Sequence, residues 1–357
     1  MSANWGKNIE LSIFGESHGK ALGIVIGNLP AGVKLDEDFI RAEAARRAPG
    51  KNAMSTSRKE ADQFEILSGV LDGVTTGAPL CAVIANTSQH SGDYDNLKKL
   101  MRPGHSDYPA YVKYHGYNDV RGGGHFSGRL TAPIVFAGAI AKQILKDKGI
   151  YIGSHVLSVK DVRDDAMPLH PDKDFLEALA AKEYPVINDE AYEAMKDVIA
   201  QARSEMDSVG GKIECVVTGL DAGIGSPFFD SVESHLSSLM FSIPAVKSLS
   251  FGDLDDITLG KGSETNDAYA YDRGQIVTTT NHNGGLLGGI TTGMPLLFRV
   301  GIKPTPSIGK AQNTVNVETQ EDAVLEIKGR HDPCIVMRAA VVVEAMAALC
   351  VLDEVNV

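Results

Sequence analysis

Cysteine is scarce and unpatterned in this chain. Cys81, Cys215, Cys334 and Cys350 form no C-x-x-C pair, so neither a disulfide framework nor a cysteine metal site is expected. Cys81, Cys215 and Cys350 lie in apolar runs and read as reduced, mostly buried thiols. Positive charge is in deficit: the formal net charge of −12 argues against broad nucleic-acid binding or attachment to acidic membranes. Long hydrophobic runs are missing too. The most apolar stretch, Ala339 to Leu352, is interrupted by Glu344 and reads as a core helix, not a membrane span. The N-terminus lacks a basic-then-apolar signal, which points to the cytoplasm. No G-x-G-x-x-G stands between a strand and a helix, so no nicotinamide fingerprint is present. With no internal repeat and no low-complexity linker, a single domain over residues 1–357 is the expectation.

What remains is a hydrophobic content of 43% with 22% charged residues, enough for a sizeable core. The basic residues are grouped. Arg41, Arg46, Arg47, Lys51, Arg58 and Lys59 form one set; Arg102, Arg121 and Arg129 follow; Lys303, Lys310, Arg330 and Arg338 come far downstream. Positive clusters in an acidic protein suit a small polyanionic ligand in a focused pocket, though solvated surface charge is the alternative.

Leu11 to Phe14, Leu22 to Gly27, Phe64 to Val70, Leu80 to Ala85, Tyr151 to Asp161 and Ile213 to Leu220 read as strands. Asp36 is set to cap a helix that ends at Arg46-Arg47. A second helix follows Pro133 and stops at Gly149; a third spans Asn188 to Val209. Asp230 and Glu233 resemble a capping box ahead of Leu236, Leu239 and Met240. Asp161 to Glu190 is acidic and predicts irregular backbone, and Lys51 to Glu60 predicts a mobile basic loop.

The chemistry gathers in loops. Arg121-Gly122-Gly123-Gly124-His125-Phe126-Ser127-Gly128-Arg129 leads into a helix, and it reads either as an anion cradle or as a turn capped by Ser127. Gly15-Glu16-Ser17-His18-Gly19 and Arg102-Pro103-Gly104-His105-Ser106-Asp107 each place an imidazole near neutral-pH proton chemistry. Asn281 to Gly289 is rich in amides and bare backbone. Lys303-Pro304-Thr305-Pro306-Ser307 pairs a cation with hydroxyls, a phosphate-friendly set. Gly329-Arg330-His331-Asp332-Pro333 brings a further Arg, His and Asp together.

Taken in order, these six segments resemble the motifs of the chorismate synthase family, from about Asn4 to Leu352. The resemblance implies an α+β sandwich, with helices between antiparallel sheets, assembled as a homotetramer. It implies a lyase of the shikimate pathway that converts 5-enolpyruvylshikimate 3-phosphate to chorismate and phosphate by anti 1,4-elimination. Reduced FMN (FMNH₂) is required without net redox change. It further implies that His18 serves as an acid by the leaving phosphate and that His105 protonates the reduced flavin. Asp332 assists removal of the ring proton through flavin N5, with Ser17 and Ser127 in support. FMN falls to His125, Phe126, Ser127, Ala245, Gly288, Lys303, Pro304, Thr305, Pro306, Ser307 and Arg330; substrate falls to Arg41, Arg47, Arg58 and Arg129. The family often has Arg-Ser-Ser-Ala-Arg-Glu where this chain has His125 to Leu130; Ser127 and Arg129 survive. With no nicotinamide fingerprint, an external flavin reductase is favoured over reduction by the chain's own use of NADPH. A cofactor-free phosphatase or phospho-sugar lyase, and a non-catalytic flavin-binding protein, are the competing readings.

Overall fold

The computed structural model describes residues 3–49, 62–87, 98–327 and 332–355. Two antiparallel five-stranded sheets carry the fold. The first runs Asn4–Trp5, Glu10–Gly15, Ala21–Gly27, Leu80–Ala85, Phe64–Ser68 in spatial order. The second runs Val246–Phe251, Leu296–Ile302, Gly211–Thr218, Tyr151–Val159, Val162–Arg163. The helices are α1 (Glu37–Arg47), α2 (Asp107–Lys113), α3 (Thr131–Lys146), α4 (Lys173–Ala181), α5 (Asp189–Ser204), α6 (Val232–Met240), α7 (Gly262–Thr265) and α8 (Val336–Glu354).

Helices α3 and α8 lie between the sheets. Helix α3 packs on the strands Ala21–Gly27 and Leu80–Ala85, α8 packs on Tyr151–Val159 and Gly211–Thr218, and the two helices pack on each other. Both are apolar around nearly their whole circumference, which only burial on every side accommodates. They approach closely because Gly138 has no side chain: a Cβ there would sit 2.3 Å from that of Ala345. One continuous hydrophobic cluster runs from Ile9 to Leu352. The architecture is α+β, helices between antiparallel sheets. Among the described residues no helix is long and apolar enough to cross a membrane.

Glu344, fully buried on α8, is a charged group set inside that core. Arg46 donates to its two carboxylate oxygens at 2.7 and 2.8 Å, Ser154 Oγ donates at 2.7 Å, and Lys142 pairs with it as well. A single carboxylate thus ties α1, α3, α8 and the strand Tyr151–Val159 together.

Strand alternation sends Ser154 toward α8 and its neighbour His155 to the opposite face. There His155 Nδ1 lies 2.7 Å from Asp164 and Nε2 lies 3.0 Å from Glu214. Both ring nitrogens face acceptors, so the pair of carboxylates wants an imidazolium. Burial would lower the ring's pKa, but Asp164 and Glu214 outweigh it and raise it above the ordinary 6.5. A raised folded value means this stabilisation is fully present below 6.5 and is lost as pH rises through the folded value. The denaturant midpoint should therefore fall across that alkaline limb, and the fall should vanish in His155→Gln. Identical pH slopes in the two proteins would refute the assignment.

Some elements differ from expectation. Asp161 to Glu190 was expected to be irregular, yet α4 forms inside it, capped by Asp172, which accepts from Phe175 N at 2.8 Å. Ser231, not Asp230, caps α6, accepting from Ser234 N at 3.1 Å, while Asp230 pairs with Lys7 at 3.2 Å. Helix α5 stops at Ser204 because Met206 turns left-handed at φ 56°.

Candidate active site

The triple-glycine segment forms the centre of the site, and its glycines are needed for close approach. Gly122, Gly123 and Gly124 all have positive φ, at 58°, 87° and 54°. A Cβ on Gly122 would sit 2.2 Å from the His18 ring and 2.8 Å from Ser17 Oγ; one on Gly123 would sit 3.3 Å from His105 Nε2. Two adjacent glycines thus face two imidazoles from loops far apart in sequence. Ser127 is beside them, 3.6 Å from the Gly123 position, and its Oγ caps the turn that leads into α3 by accepting from Arg129 N. The sequence alone left an anion cradle and a capped turn open; the Ser127 cap is present, and the glycines serve the imidazoles.

His18 and Ser17 are buried in their turn, at 4% and 1% exposure. That turn is pinned to the glycine segment by Ser17 N donating to Gly124 O at 3.0 Å and by His125 Nδ1 donating to Gly15 O at 2.8 Å. His125 therefore supports the turn that carries His18. Phe126 packs near Tyr114, with ring centroids 6.3 Å apart. Arg121, which flanks the glycines, is taken by Asp119 at 2.7 Å.

His105 belongs to a compact cluster. Its Nδ1 lies 2.6 Å from Asp107 Oδ1, and Arg102 grips the same carboxylate with Nε at 2.7 Å and Nη2 at 2.8 Å. Burial would raise the Asp107 carboxyl, but the hydrogen bonds from Arg102 and His105 hold it far below the usual range. The 303–307 loop docks on this turn: Lys303 Nζ donates to Gly104 O, and Arg102 Nη1 donates to Ser307 Oγ at 3.4 Å. Its Thr305 hydroxyl donates to Asp332 O at 2.9 Å, and Ala245 O accepts from Lys303 N at 3.0 Å. Pro306 lies against Gly104. The Asp332 carboxylate pairs with Arg338.

The anion-binding groups converge nearby. Arg47 and Arg129 are both buried and share the carboxylate of Asp62: Arg47 Nε donates at 2.6 Å, and Arg129 Nη1 pairs with the other oxygen. Burial, with the Arg338 and Arg129 guanidiniums close by, pulls the Arg47 pKa down to about 10 against the pull of Asp62. Arg129 Nε also reaches Asn86 Oδ1 at 3.4 Å, and Asn86 Nδ2 donates to Glu16 O at 3.1 Å and Gly19 O at 3.0 Å, bracketing His18. Asn86 thereby links the arginines to the turn that holds His18.

The structure does not gather every residue named from the sequence. Arg41 is half exposed, paired with Glu37 at 2.9 Å and stacked over Phe64. Gly288 sits in the hairpin turn between Leu286–Leu287 and Ile290–Thr291. Its neighbour Gly289 faces Ser226 and Ser231, and Gly285 meets Pro295 at the opposite end of the strand Leu296–Ile302 from Lys303. Arg58, Arg330 and the Lys51–Glu60 loop lie outside the described residues. Among the described residues no group of His, Cys, Asp and Glu is arranged to hold a metal. Asp62, Asn86 and Arg338 were not singled out as site residues from the sequence. Only Arg338 left a trace there, as one of the downstream basic residues.

Comparison with known proteins agrees with the geometry. A family model described as chorismate synthase matches residues 9–355. A chorismate synthase of Dehalococcoides mccartyi is 43% identical over 353 residues, covering 99% of this chain and 96% of its own length. One from Thermococcus gammatolerans is 44% identical over 350 residues, covering 98% of this chain and 96% of its own length. A crystal structure of chorismate synthase superposes with a TM-score of 0.76 at 27% identity, across 98% of this chain and 92% of that one.

Proposed function

Because this chain belongs to the chorismate synthase family of lyases, we propose that it converts 5-enolpyruvylshikimate 3-phosphate into chorismate and phosphate in a reaction that depends on reduced FMN. The observation that carries the reading is the pair of imidazoles, His18 and His105, on two successive glycines, with Asp332 and a buried arginine group joined to the same loops.

The substrate carries a phosphate and two carboxylates, and Arg47, Arg129 and Arg338 form a cation-rich group suited to them. In the elimination a ring C–H bond and the C–O bond to phosphate break, and a second ring double bond forms. His18 gives a proton to the departing phosphate. Asp332, paired with Arg338, serves the side from which the ring proton leaves. His105 presents Nε2, the ring nitrogen that faces Gly123, for proton transfer, and the hydroxyls of Ser17 and Ser127 support the two proton positions.

The chain's residues fit FMN. Lys303, Thr305 and Ser307 offer an ammonium and two hydroxyls on a loop docked beside His105, Pro304 and Pro306 offer apolar faces, and Phe126 and Ser127 stand across Gly123. When bound, reduced FMN supplies electron density to the breaking C–O bond. Arg330, Ala245 and Gly288 complete the proposed FMN set. Arg41 and Arg58 are proposed to bind the substrate. We place the chain as one domain in the cytoplasm, as a homotetramer supplied by an external flavin reductase. Exposed Phe228 and Phe229, at 84% and 93%, fit an oligomer.

The test is anaerobic turnover of 5-enolpyruvylshikimate 3-phosphate with photoreduced FMN, following chorismate and phosphate together. Phosphate release without flavin would favour a phosphatase, and flavin binding with no release would favour a binding protein.

A further inference from the structure

Asp107 is buried at 4% exposure, and four hydrogen bonds converge on its carboxylate. Arg102 donates to it from its backbone N at 3.1 Å, from Nε at 2.7 Å and from Nη2 at 2.8 Å. His105 Nδ1 lies 2.6 Å from its Oδ1. We propose that Asp107, clamped by Arg102, is the positioning residue for His105: it fixes the neutral ring as the Nδ1–H tautomer and points Nε2 at the wall made by Gly123 and Ser127.

An ionised carboxylate only accepts, so the nitrogen 2.6 Å from it must carry the proton. Arg102 Nη2 also comes within 3.2 Å of Nδ1, and Ser106 Oγ within 3.4 Å. Neither overrides the assignment. Both contacts are longer, and Nη2 already donates to Asp107 Oδ1. The opposite tautomer would set a nitrogen lone pair against a carboxylate oxygen at 2.6 Å. With the proton at Nδ1, Nε2 is the ring atom that takes up and returns protons, and it is the atom that lies against Gly123. Asp107 contacts the Nδ1 side of the His105 ring and acts through it.

Asp107→Asn separates this role from simple packing. Arg102 N and Nε require an oxygen where Oδ2 stands, so the new amide nitrogen takes the place of Oδ1 and donates to His105 Nδ1. The neutral ring then moves its proton to Nε2.

The experiment is ring-nitrogen NMR of ¹⁵N-histidine-labelled protein under mildly alkaline conditions, with His105→Gln to assign the signal. Expected are an Nδ1–H ring in the wild type and an Nε2–H ring in Asp107→Asn. The turnover arm rests on the proton role proposed above for His105. There kcat should fall about 10²–10⁴-fold with little change in KM. An Nε2–H ring in the wild type would overturn the proposal, even if Asp107→Asn failed to fold. So would near-normal kcat in a folded Asp107→Asn. The two expected ring states with no turnover in either protein would support the positioning role and overturn the functional reading instead.

Discussion

His18→Ala, His105→Ala and Asp332→Asn should each fold, retain FMN and turn over about 10²–10⁴-fold more slowly than the wild type, the usual contribution of a positioned acid or base. The expectation follows from placement. His18 and His105 face the same glycine segment, and Asp332 is joined to it through the 303–307 loop. Asp332→Asn keeps the shape beside Arg338 and removes the charge. Losses should be less than additive in the double variants, because the three groups serve one elimination. A merely structural role would lower the unfolding midpoint and reduce activity only in proportion to the folded fraction. Unfolding curves measured beside the kinetics separate the two outcomes.

The largest loss of stability should come from Glu344→Ala, at about 3–5 kcal/mol, the cost of leaving buried charges unpaired. Among the described residues Arg46 and Lys142 would keep Glu43 alone as a carboxylate partner, and Ser154 Oγ would lose its bond to Glu344. Burial would raise the Glu344 carboxyl, but Arg46 and Lys142 outweigh it and hold it well below its ordinary 4.5. A depressed folded value means this stabilisation is present above 4.5 and is lost as pH falls through the lower folded value. Denaturant titrations across the acid limb should show wild type and Glu344→Ala converging toward low pH. A loss below 1 kcal/mol at neutral pH, near the value of exposed pairs, would sink the claim.

Apolar residues at helical spacing, or on every side, made α3, α5 and α8 legible, while α1 was legible from its cap Asp36 and its basic last turn Arg46-Arg47. Helix α4 escaped because it is short, buries only Leu176 and Leu179, and sits inside an acidic stretch. The two imidazole loops were legible as glycine-bearing turns. What the glycines do was not: that Gly122 meets His18 is a contact between segments about a hundred residues apart. Asp62 was hidden for the same reason. It follows a basic run without periodicity, and its partners lie 15 and 67 positions away. Asn86 reads in sequence as an ordinary strand end. Its role exists only once Glu16, Gly19 and Arg129 surround it.

Helix α8 has a consequence for how the protein comes into being. Every strand of both sheets precedes it in the chain, yet it fills the space between them and carries Arg338 to Asp332. Asp353 near its end accepts from the backbone of Asn8 and Ile9 at 2.6 and 2.7 Å, closing onto the first strands made. During synthesis α3 can cover the first sheet, but the inner faces of the second sheet's strands lack their main partner until α8 leaves the ribosome. Until then they are open to chaperones and proteases, and to pairing with one another. A chain truncated before residue 336 would keep both sheets and neither a closed core nor the aspartate's counter-ion.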